Sequence, residues 1–131
     1  MQDMDVRVVS IDEWSVLAWL RQCFRHDLAM IVNGLPYADG RYQTRGLPDK
    51  ASSNAVGYLA WRPHPRTEEP APIGLAVVDG LTEDRRSLAA LWVAPVVRRE
   101  GVGHRLAFDV IERHPGPWSV AFQHDNVHAG T

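Results

Sequence analysis

The stretch that decides the fold is Leu91-Trp-Val-Ala-Pro-Val-Val-Arg-Arg-Glu-Gly-Val-Gly-His-Arg-Leu106. It begins inside an almost wholly apolar run, residues 87–94, which predicts a buried strand in the centre of a sheet. Gly101 and Gly103 follow in a short turn, and a helix is predicted from Gly101 to about Arg113. Glycines let backbone N–H groups approach a ligand, and a helix start adds free N–H groups and partial positive charge. The segment therefore predicts an anion site of the phosphate-binding type.

Neither of the two common nucleotide motifs fits this turn. No Gly-Lys-Ser/Thr follows, and Leu106 stands where the dinucleotide fingerprint needs a glycine. A single G-x-G also occurs where a helix start only packs tightly on a strand, so that interpretation stays open. Arg98, Arg99 and Arg105 would add positive charge to an anion site here.

Outward from the turn, hydrophobic periodicity predicts a mixed order of strands and helices. A capping box at Ser10 and Glu13 precedes the first helix. Strands are predicted at residues 4–9, 55–62, 73–79, 87–94 and 118–122, and helices at 11–31 and 101–113. The last strand, the helix and the strand before it would form a βαβ unit with parallel strands. The fold class is therefore α/β or α+β.

The remaining segments are predicted to be connections. Residues 33–53 are rich in glycine and proline and form a long loop, a kind that is often a binding loop. Residues 63–72 contain four prolines and are expected to be an exposed connection. Residues from Asp125 would begin a last helix.

Two motifs in this order resemble those of the GCN5-related N-acetyltransferases, the GNAT family. The first, motif A, is Val93-x-Pro95-x-x-Arg98-x-x-Gly101-x-Gly103. The second, motif B of one bacterial branch, is a strand that opens at Trp118, followed by Gln123-x-x-Asn126-x-x-Ala129. The resemblance covers roughly residues 55–131. It implies a GNAT-like mixed sheet of about five strands, with a cleft where the parallel βαβ strands splay apart.

A single GNAT-like domain would span residues 1–131. Residues 1–53 would be its N-terminal strand, helix and acceptor-side loop, and residues 54–131 its acyl-CoA-binding half. The resemblance implies acetyl transfer from acetyl-CoA to an amine, with no metal. The acceptor would enter between the first helix, the 33–53 loop and the cleft.

The same resemblance implies which residues bind the co-substrate. Backbone near Trp92 and Val93 would pair with the pantetheine arm, amides of residues 99–104 would hold the pyrophosphate, and Asn126 would contact the pantetheine. The implied acyl-CoA-binding set is Trp92, Val93, Arg98, Arg99, Gly101, Val102, Gly103, His104 and Asn126.

Two departures from the family pattern bear on catalysis. Ala90-Leu91-Trp92-Val93 stands where many relatives carry a glutamate base, and the acids Glu83 and Asp84 lie in the preceding loop. The chain ends at Thr131, where relatives continue, so roughly 20–30 residues of fold are expected to be missing, the C-terminal helix and hairpin among them. The tyrosine that often protonates the leaving thiolate in this family would lie in that missing part.

Two further predictions follow from that ending. His124 is the candidate acid, although His124 and His128 also fit ordinary polar helix positions or a metal pair. Strand 118–122 would expose an edge, which favours a homodimer.

The composition excludes several classes of protein and of binding partner. The chain has 131 residues, 45% of them hydrophobic and 23% charged, as in a globular domain. Its net charge of −2 argues against nucleic-acid binding, and the apolar run from Leu88 to Val97 is too short to span a membrane. The single cysteine, Cys23, is expected to be buried, and one cysteine with no secretory signal points to the cytoplasm. Two alternatives stay open: a non-catalytic acyl-CoA-binding or scaffold module, and a βαβ domain for another phosphate compound or none.

Overall fold

The computed structural model describes residues 4–32, 34–44 and 50–119. Their strands form one sheet in chain order: β1 (Asp5–Val8), β2 (Val56–Pro63), β3 (Pro70–Asp79), β4 (Arg86–Val93) and β5 (Trp118–Ser119). The helices are α1 (Trp14–Val32) and α2 (Val102–Glu112). Neighbours β1 to β4 pair antiparallel, while β4 and β5 pair parallel. The predicted α+β class and the parallel βαβ pair are confirmed.

Helix α1 covers one face of the sheet. A 3-10 helix at Ile11–Glu13 leads into it, and the Ser10 amide donates to the Glu13 carboxylate at 3.1 Å. The side chain of Leu17 is fully buried on this face, in a cluster with Leu59, Leu75, Val77 and Trp92. A Cβ on Gly57 of β2 would lie 2.8 Å from Leu17 Cδ1, so glycine is what lets α1 approach the sheet this closely.

Helix α2 covers the opposite face. Its buried residues, Val102, Leu106 and Val110, recur every four positions and pack on Tyr58, Ile73, Ala76 and Val78 of the sheet. Residues 73–78 of β3 are buried throughout, whereas β4 is only half-buried over residues 86–89. The most deeply buried strand is therefore β3, while β4, the predicted strand 87–94, lies inside the sheet between β3 and β5 and is buried mainly in its second half. Both helices lie over β3 and the C-terminal half of β4, which leaves the start of β4 less covered.

The prediction of an exposed connection over residues 63–72 is wrong at both ends. Strand pairing continues to Pro63 and Pro70, so the connection is residues 64–69. Proline is tolerated there because, among the described residues, β1 stops pairing with β2 at Trp61 and β4 first pairs with β3 at Gly74, so no other described strand pairs with these positions. Pro72 lies opposite Trp61, at a register irregularity.

The predicted burial of Cys23 is also wrong, since the structure exposes it. Position 23 is about 120° around the helix from Leu17, off the face that packs on the sheet. Among the helices described, none is long and apolar enough to cross a membrane.

Candidate functional site

The glycine turn lies between the end of β4 and the start of α2, as predicted. A short 3-10 helix, Pro95–Val97, leaves β4, and the chain then takes left-handed conformations at Arg99 and Gly101, each with φ of 78°. A Cβ on Gly101 would meet nothing within 4 Å, so the backbone conformation and not the available space calls for glycine there. Arg99 takes the same conformation at a cost of about 1–2 kcal/mol. Such strain is typical of functional turns.

The start of α2 has backbone hydrogen-bond donors for which the described residues show no acceptor. Its first intrahelical bond runs from the Arg105 amide to the Gly101 carbonyl at 3.1 Å. The amides of Val102, Gly103 and His104 therefore precede the helical ladder. Within the described part of the chain, no side chain caps this end and no acidic residue lies in the first turn. Several N–H groups and the positive end of the helix dipole are thus available to an anion.

The side chain of Arg98 holds the turn in place through hydrogen bonds within the protein. Its Nε donates to the Val93 carbonyl at 2.8 Å, and its Nη2 donates to Asp27 Oδ2 at 2.7 Å. The indole Nε1 of Trp92 donates to the same Asp27 oxygen at 2.9 Å. One carboxylate on α1 therefore joins the last residues of β4 to the turn.

Asp27 stays ionised in this arrangement. Partial burial by itself raises the pKa of its carboxyl group. The hydrogen bonds from Arg98, Trp92 and His26 and the charge of Arg98 outweigh that effect and lower this pKa from its usual value of 3.8. A carboxylate of lowered pKa is a poor proton acceptor near neutral pH, so Asp27 is suited to positioning.

The other predicted binding residues have different surroundings. Val102 is 2% exposed and its side chain belongs to the core. Only its backbone amide could therefore contribute to an anion site at the turn. Arg99 and His104 are exposed beside the turn, and Gly103 is half-buried. Asn126 and His124 lie outside the described residues.

A cleft adjoins the N-terminal half of α1, where the sequence predicts an acceptor-side loop. Its volume is about 680 Å³, and it is lined by Ser15, Ala18, Trp19, Arg21, Gln22, Tyr37, Asp39, Arg41, Tyr42, Gln43 and Thr44. Gln22 pairs with the backbone of Tyr42 in both directions: its Nε2 donates to the Tyr42 carbonyl at 2.9 Å, and its Oε1 accepts from the Tyr42 amide at 2.7 Å. This pair fixes the loop against α1.

Strand β4 contains no carboxylate, as the sequence shows. Glu83 and Asp84 are exposed in the loop before it, and Glu83 accepts a hydrogen bond from the side chain of Asn54 at 3.2 Å. Both therefore fit an ordinary solvated loop. No group of three metal-ligating side chains occurs in residues 4–32, 34–44 and 50–119.

Two residues of this region escaped the sequence analysis. Asp27 contacts Arg98 across 71 positions, and Gln22 contacts Tyr42 across 20 positions. Both stand at ordinary polar positions of an amphipathic helix, so neither gives a local signal. Only the docking of α1 on the sheet brings them to their partners.

Comparisons with known proteins bear on the fold. No protein-family profile matches the chain, and no curated protein matches it by sequence. Among solved structures, AAC(6')-Iy in complex with the bisubstrate analogue CoA-S-monomethyl-acetylneamine is 16% identical, with a TM-score of 0.62 over 96% of this chain and 84% of that one. A GNAT-family acetyltransferase from Staphylococcus aureus is 12% identical, with a TM-score of 0.61 over 97% and 78%.

A third similar structure is an acetyltransferase from Vibrio fischeri. It is 14% identical, with a TM-score of 0.59 over 88% of this chain and 93% of that one. At such identities the likeness concerns the fold and not the individual residues. This chain therefore has the fold of the GNAT acetyltransferases.

Proposed function

We propose that this protein is an N-acetyltransferase that moves the acetyl group of acetyl-CoA to an amine. The observation that carries the proposal is the glycine turn after β4, which leads into the uncapped start of α2 within a GNAT fold. A solved protein of similar fold holds a CoA-containing bisubstrate analogue. A phosphate-binding helix start in this fold is well suited to the pyrophosphate of CoA.

The chain's own residues would divide the binding between them. The amides of residues 99–104 would hold the pyrophosphate, and backbone near Trp92 and Val93 would pair with the pantetheine arm. Asn126 would contact that arm from the other side. Arg98 acts indirectly, because its bonds to Asp27 and Val93 fix the distance between the turn and the end of β4.

In the reaction, the lone pair of a neutral amine attacks the thioester carbonyl carbon. The C–S bond breaks, an amide forms, and the amine proton is lost to solvent or a base while the thiolate of CoA gains a proton. Because β4 carries no carboxylate, the amine would arrive neutral or lose its proton to a base outside β4. His124 is the proposed donor to the thiolate. The acceptor would occupy the cleft beside α1.

A ligand-dependent thermal shift tests the proposal. Acetyl-CoA, CoA and ATP are each added to the wild-type chain, to Gly103→Glu and to Ser53→Glu. A ligand at 100 times its Kd adds about 2.7 kcal/mol, an easily measured rise in Tm. Gly103→Glu places a carboxylate where the pyrophosphate would bind, and an acid in the first turn of a helix interacts favourably with the helix dipole. Ser53→Glu makes the same charge change at an exposed loop position.

Acetyl-CoA and CoA should raise the Tm of the wild type and of Ser53→Glu, but not that of Gly103→Glu. Thiol release with a panel of amines should then give turnover that the Gly103 variant lacks. An equal shift with ATP, or no shift with either CoA compound, would contradict the proposal.

The absence of a carboxylate in β4 favours a second candidate function, a non-catalytic acyl-CoA-binding or scaffold module. It predicts the same thermal shifts with no thiol release for any amine. Turnover above background that disappears in Gly103→Glu would exclude it.

We also propose a homodimer through the edge of the strand that begins at Trp118, with no nucleic acid or membrane as partner and with the cytoplasm as its location. Parallel pairing of β4 with Trp118 and Ser119 places this strand at the end of the described sheet. Open strand edges readily pair with a second chain. Light scattering under reducing conditions should give twice the chain mass, and a monomer mass would contradict the dimer.

A further inference from the structure

The glycine turn contains one acidic residue, Glu100, and an arginine of β2 holds its side chain. The Nη2 of Arg62 donates to Glu100 Oε1 at 3.1 Å, across 38 positions of the chain. Between Val93 and Phe108 the sequence has no other acidic residue. The side chain of Arg62 is only 12% exposed and that of Glu100 is 43% exposed, so the pair reaches from the sheet to the surface of the turn.

Arg62 reaches the turn from the side of the sheet that α2 covers. Side chains alternate between the two faces of a strand. Trp61 packs in the cluster beneath α1 and Ala60 in the cluster beneath α2, so the next residue, Arg62, belongs to the α2 side. The bond from Arg98 to Asp27 holds the same turn from the α1 side. Ion pairs from both faces of the sheet therefore fix the charged side chains of the turn.

The position of Glu100 makes its partner important for the start of α2. Glu100 directly precedes Gly101, the residue that caps the helix. Acidic side chains are attracted to a helix N-terminus, where they accept hydrogen bonds from the same amides that an anionic ligand needs. The Glu100 carboxylate is instead paired with Arg62, and no side chain of the described residues caps α2.

The pair matters more for the charge of the turn than for stability. Ion pairs that are partly exposed to solvent contribute little to the free energy of unfolding. A carboxylate without a partner beside the helix start would repel a diphosphate, whereas the guanidinium group of Arg62 offsets that charge. The function that this contact can serve is therefore to keep an anion site free of the protein's own anion.

We propose that Arg62 is a positioning residue of the anion site at the start of α2. It acts through Glu100, because it holds the Glu100 carboxylate away from the amides of Val102, Gly103 and His104 and neutralises its charge. Without Arg62, the carboxylate competes with the ligand for these amides. The inference rests on the proposed CoA binding for the identity of the ligand, but the coupling between Arg62 and Glu100 is a property of the turn.

Calorimetric titration of CoA into a cycle of variants tests the inference. The proteins are the wild type, Arg62→Gln, Glu100→Gln and the double variant with both changes. Arg66→Gln is the matched control, because Arg66 is an exposed arginine in the 64–69 connection and its loss changes the net charge equally. Arg62→Met, which keeps the apolar stem of the side chain, is a second variant for the case that glutamine at this little-exposed position lowers the Tm.

Arg62→Gln and Arg62→Met should each bind CoA about tenfold more weakly than the wild type, the effect expected for one like charge near a diphosphate. Glu100→Gln should bind at least as tightly as the wild type. The double variant should recover the affinity to within about threefold, because the competing carboxylate is gone, and Arg66→Gln should match the wild type to the same margin.

The recovery in the double variant separates positioning from other roles of Arg62. If Arg62 contacted the diphosphate itself, or only stabilised the fold, the double variant would bind CoA as weakly as Arg62→Gln. That result would overturn the inference. Equal affinities of the wild type and the Arg62 variants would overturn it as well.

Inorganic pyrophosphate separates this inference from the proposed function. It is titrated into the same proteins labelled with ¹⁵N, and the amide signals of residues 101–104 are followed. If CoA does not bind, but pyrophosphate shifts these signals more weakly in Arg62→Gln than in the wild type and the double variant, CoA binding fails and the coupling stands. If CoA binds all variants equally, only the coupling fails. If neither compound binds the wild type, both proposals fail.

Discussion

At the scale of single residues, Asp27 of α1 joins the end of β4 to the glycine turn. One of its oxygens accepts from both Arg98 and Trp92. The motif pattern pointed to Arg98 as a ligand-binding residue, yet the structure shows its side chain bridging Asp27 and the Val93 carbonyl. A sequence motif identifies the residue type at a turn, but it does not reveal a partner on a distant helix.

Asp27→Asn should weaken acetyl-CoA binding several-fold while costing at most about 1 kcal/mol of stability, because the pair is partly exposed. The amide keeps an oxygen for Trp92 and removes the charge that orients Arg98. The matched control is Asp109→Asn, which breaks the 2.6 Å pair with Arg113 on α2. Calorimetry with acetyl-CoA should show loss in the first variant only, and equal affinities would contradict the positioning role.

At the scale of elements, close packing of α1 on β2 depends on one glycine. A Cβ at position 57 would meet Leu17 Cδ1 at 2.8 Å and the Trp14 ring at 3.2 Å. Gly57→Ala should therefore destabilise the protein by about 1–3 kcal/mol through overpacking. Gly34→Ala is the control, since its Cβ would meet neighbours only at 3.7 Å and beyond. Urea unfolding measures both, and equal midpoints would show that α1 can shift without cost.

A second junction joins α2, β2 and β5 through His114. Its Nε2 lies 2.7 Å from the Tyr58 hydroxyl, and its carbonyl accepts from Trp118 Nε1 at 2.9 Å. Burial, followed by the charges of Arg86 and Arg113, lowers the pKa of His114 from 6.5. The folded protein therefore favours the neutral ring of His114. The stability that this ring contributes is complete above pH 6.5, the pKa of an ordinary histidine, and is lost as the pH falls through the lower pKa of the folded state.

Acidification should consequently destabilise the wild type more than His114→Gln, which has no charge to gain. The measurement is Tm against pH from about 7.5 down to 5, a range that brackets an ordinary histidine pKa. The two proteins share every other ionisable group, so the difference between the two curves isolates His114. Parallel curves would contradict this account.

At the scale of the whole molecule, the two hydrophobic clusters share β3. Helix α1 closes one face and α2 the other, and residues 73–78 of β3 are buried between them. Hydrogen exchange should therefore be slowest for the amides of Leu75–Val78 and faster for β1, which lies at an edge of the described sheet. Faster exchange in β3 than in β1 would contradict a core centred on that strand.

Much of this architecture was predictable from local patterns. The 3.6-residue period gave α1, and the apolar run before two glycines gave β4, the turn and α2. The extra length of the β2–β3 pair was not predictable, because Pro63 and Pro70 resemble loop residues until it is known that no other described strand pairs with them. The cleft beside α1 depends equally on how α1 faces the 37–44 loop, which no sequence period encodes.

The exposure of Cys23 has a practical consequence for experiments on this chain. It is the only thiol, and it follows Gln22, which lines the cleft and holds the loop through Tyr42. Under oxidising conditions two copies of the chain can be joined by a disulfide bond through this sulfur. A measurement of mass with and without reducing agent therefore distinguishes a covalent dimer from one formed by strand pairing. The same thiol accepts one maleimide dye per chain. The fluorescence of the attached dye would then report ligand entry into the neighbouring cleft.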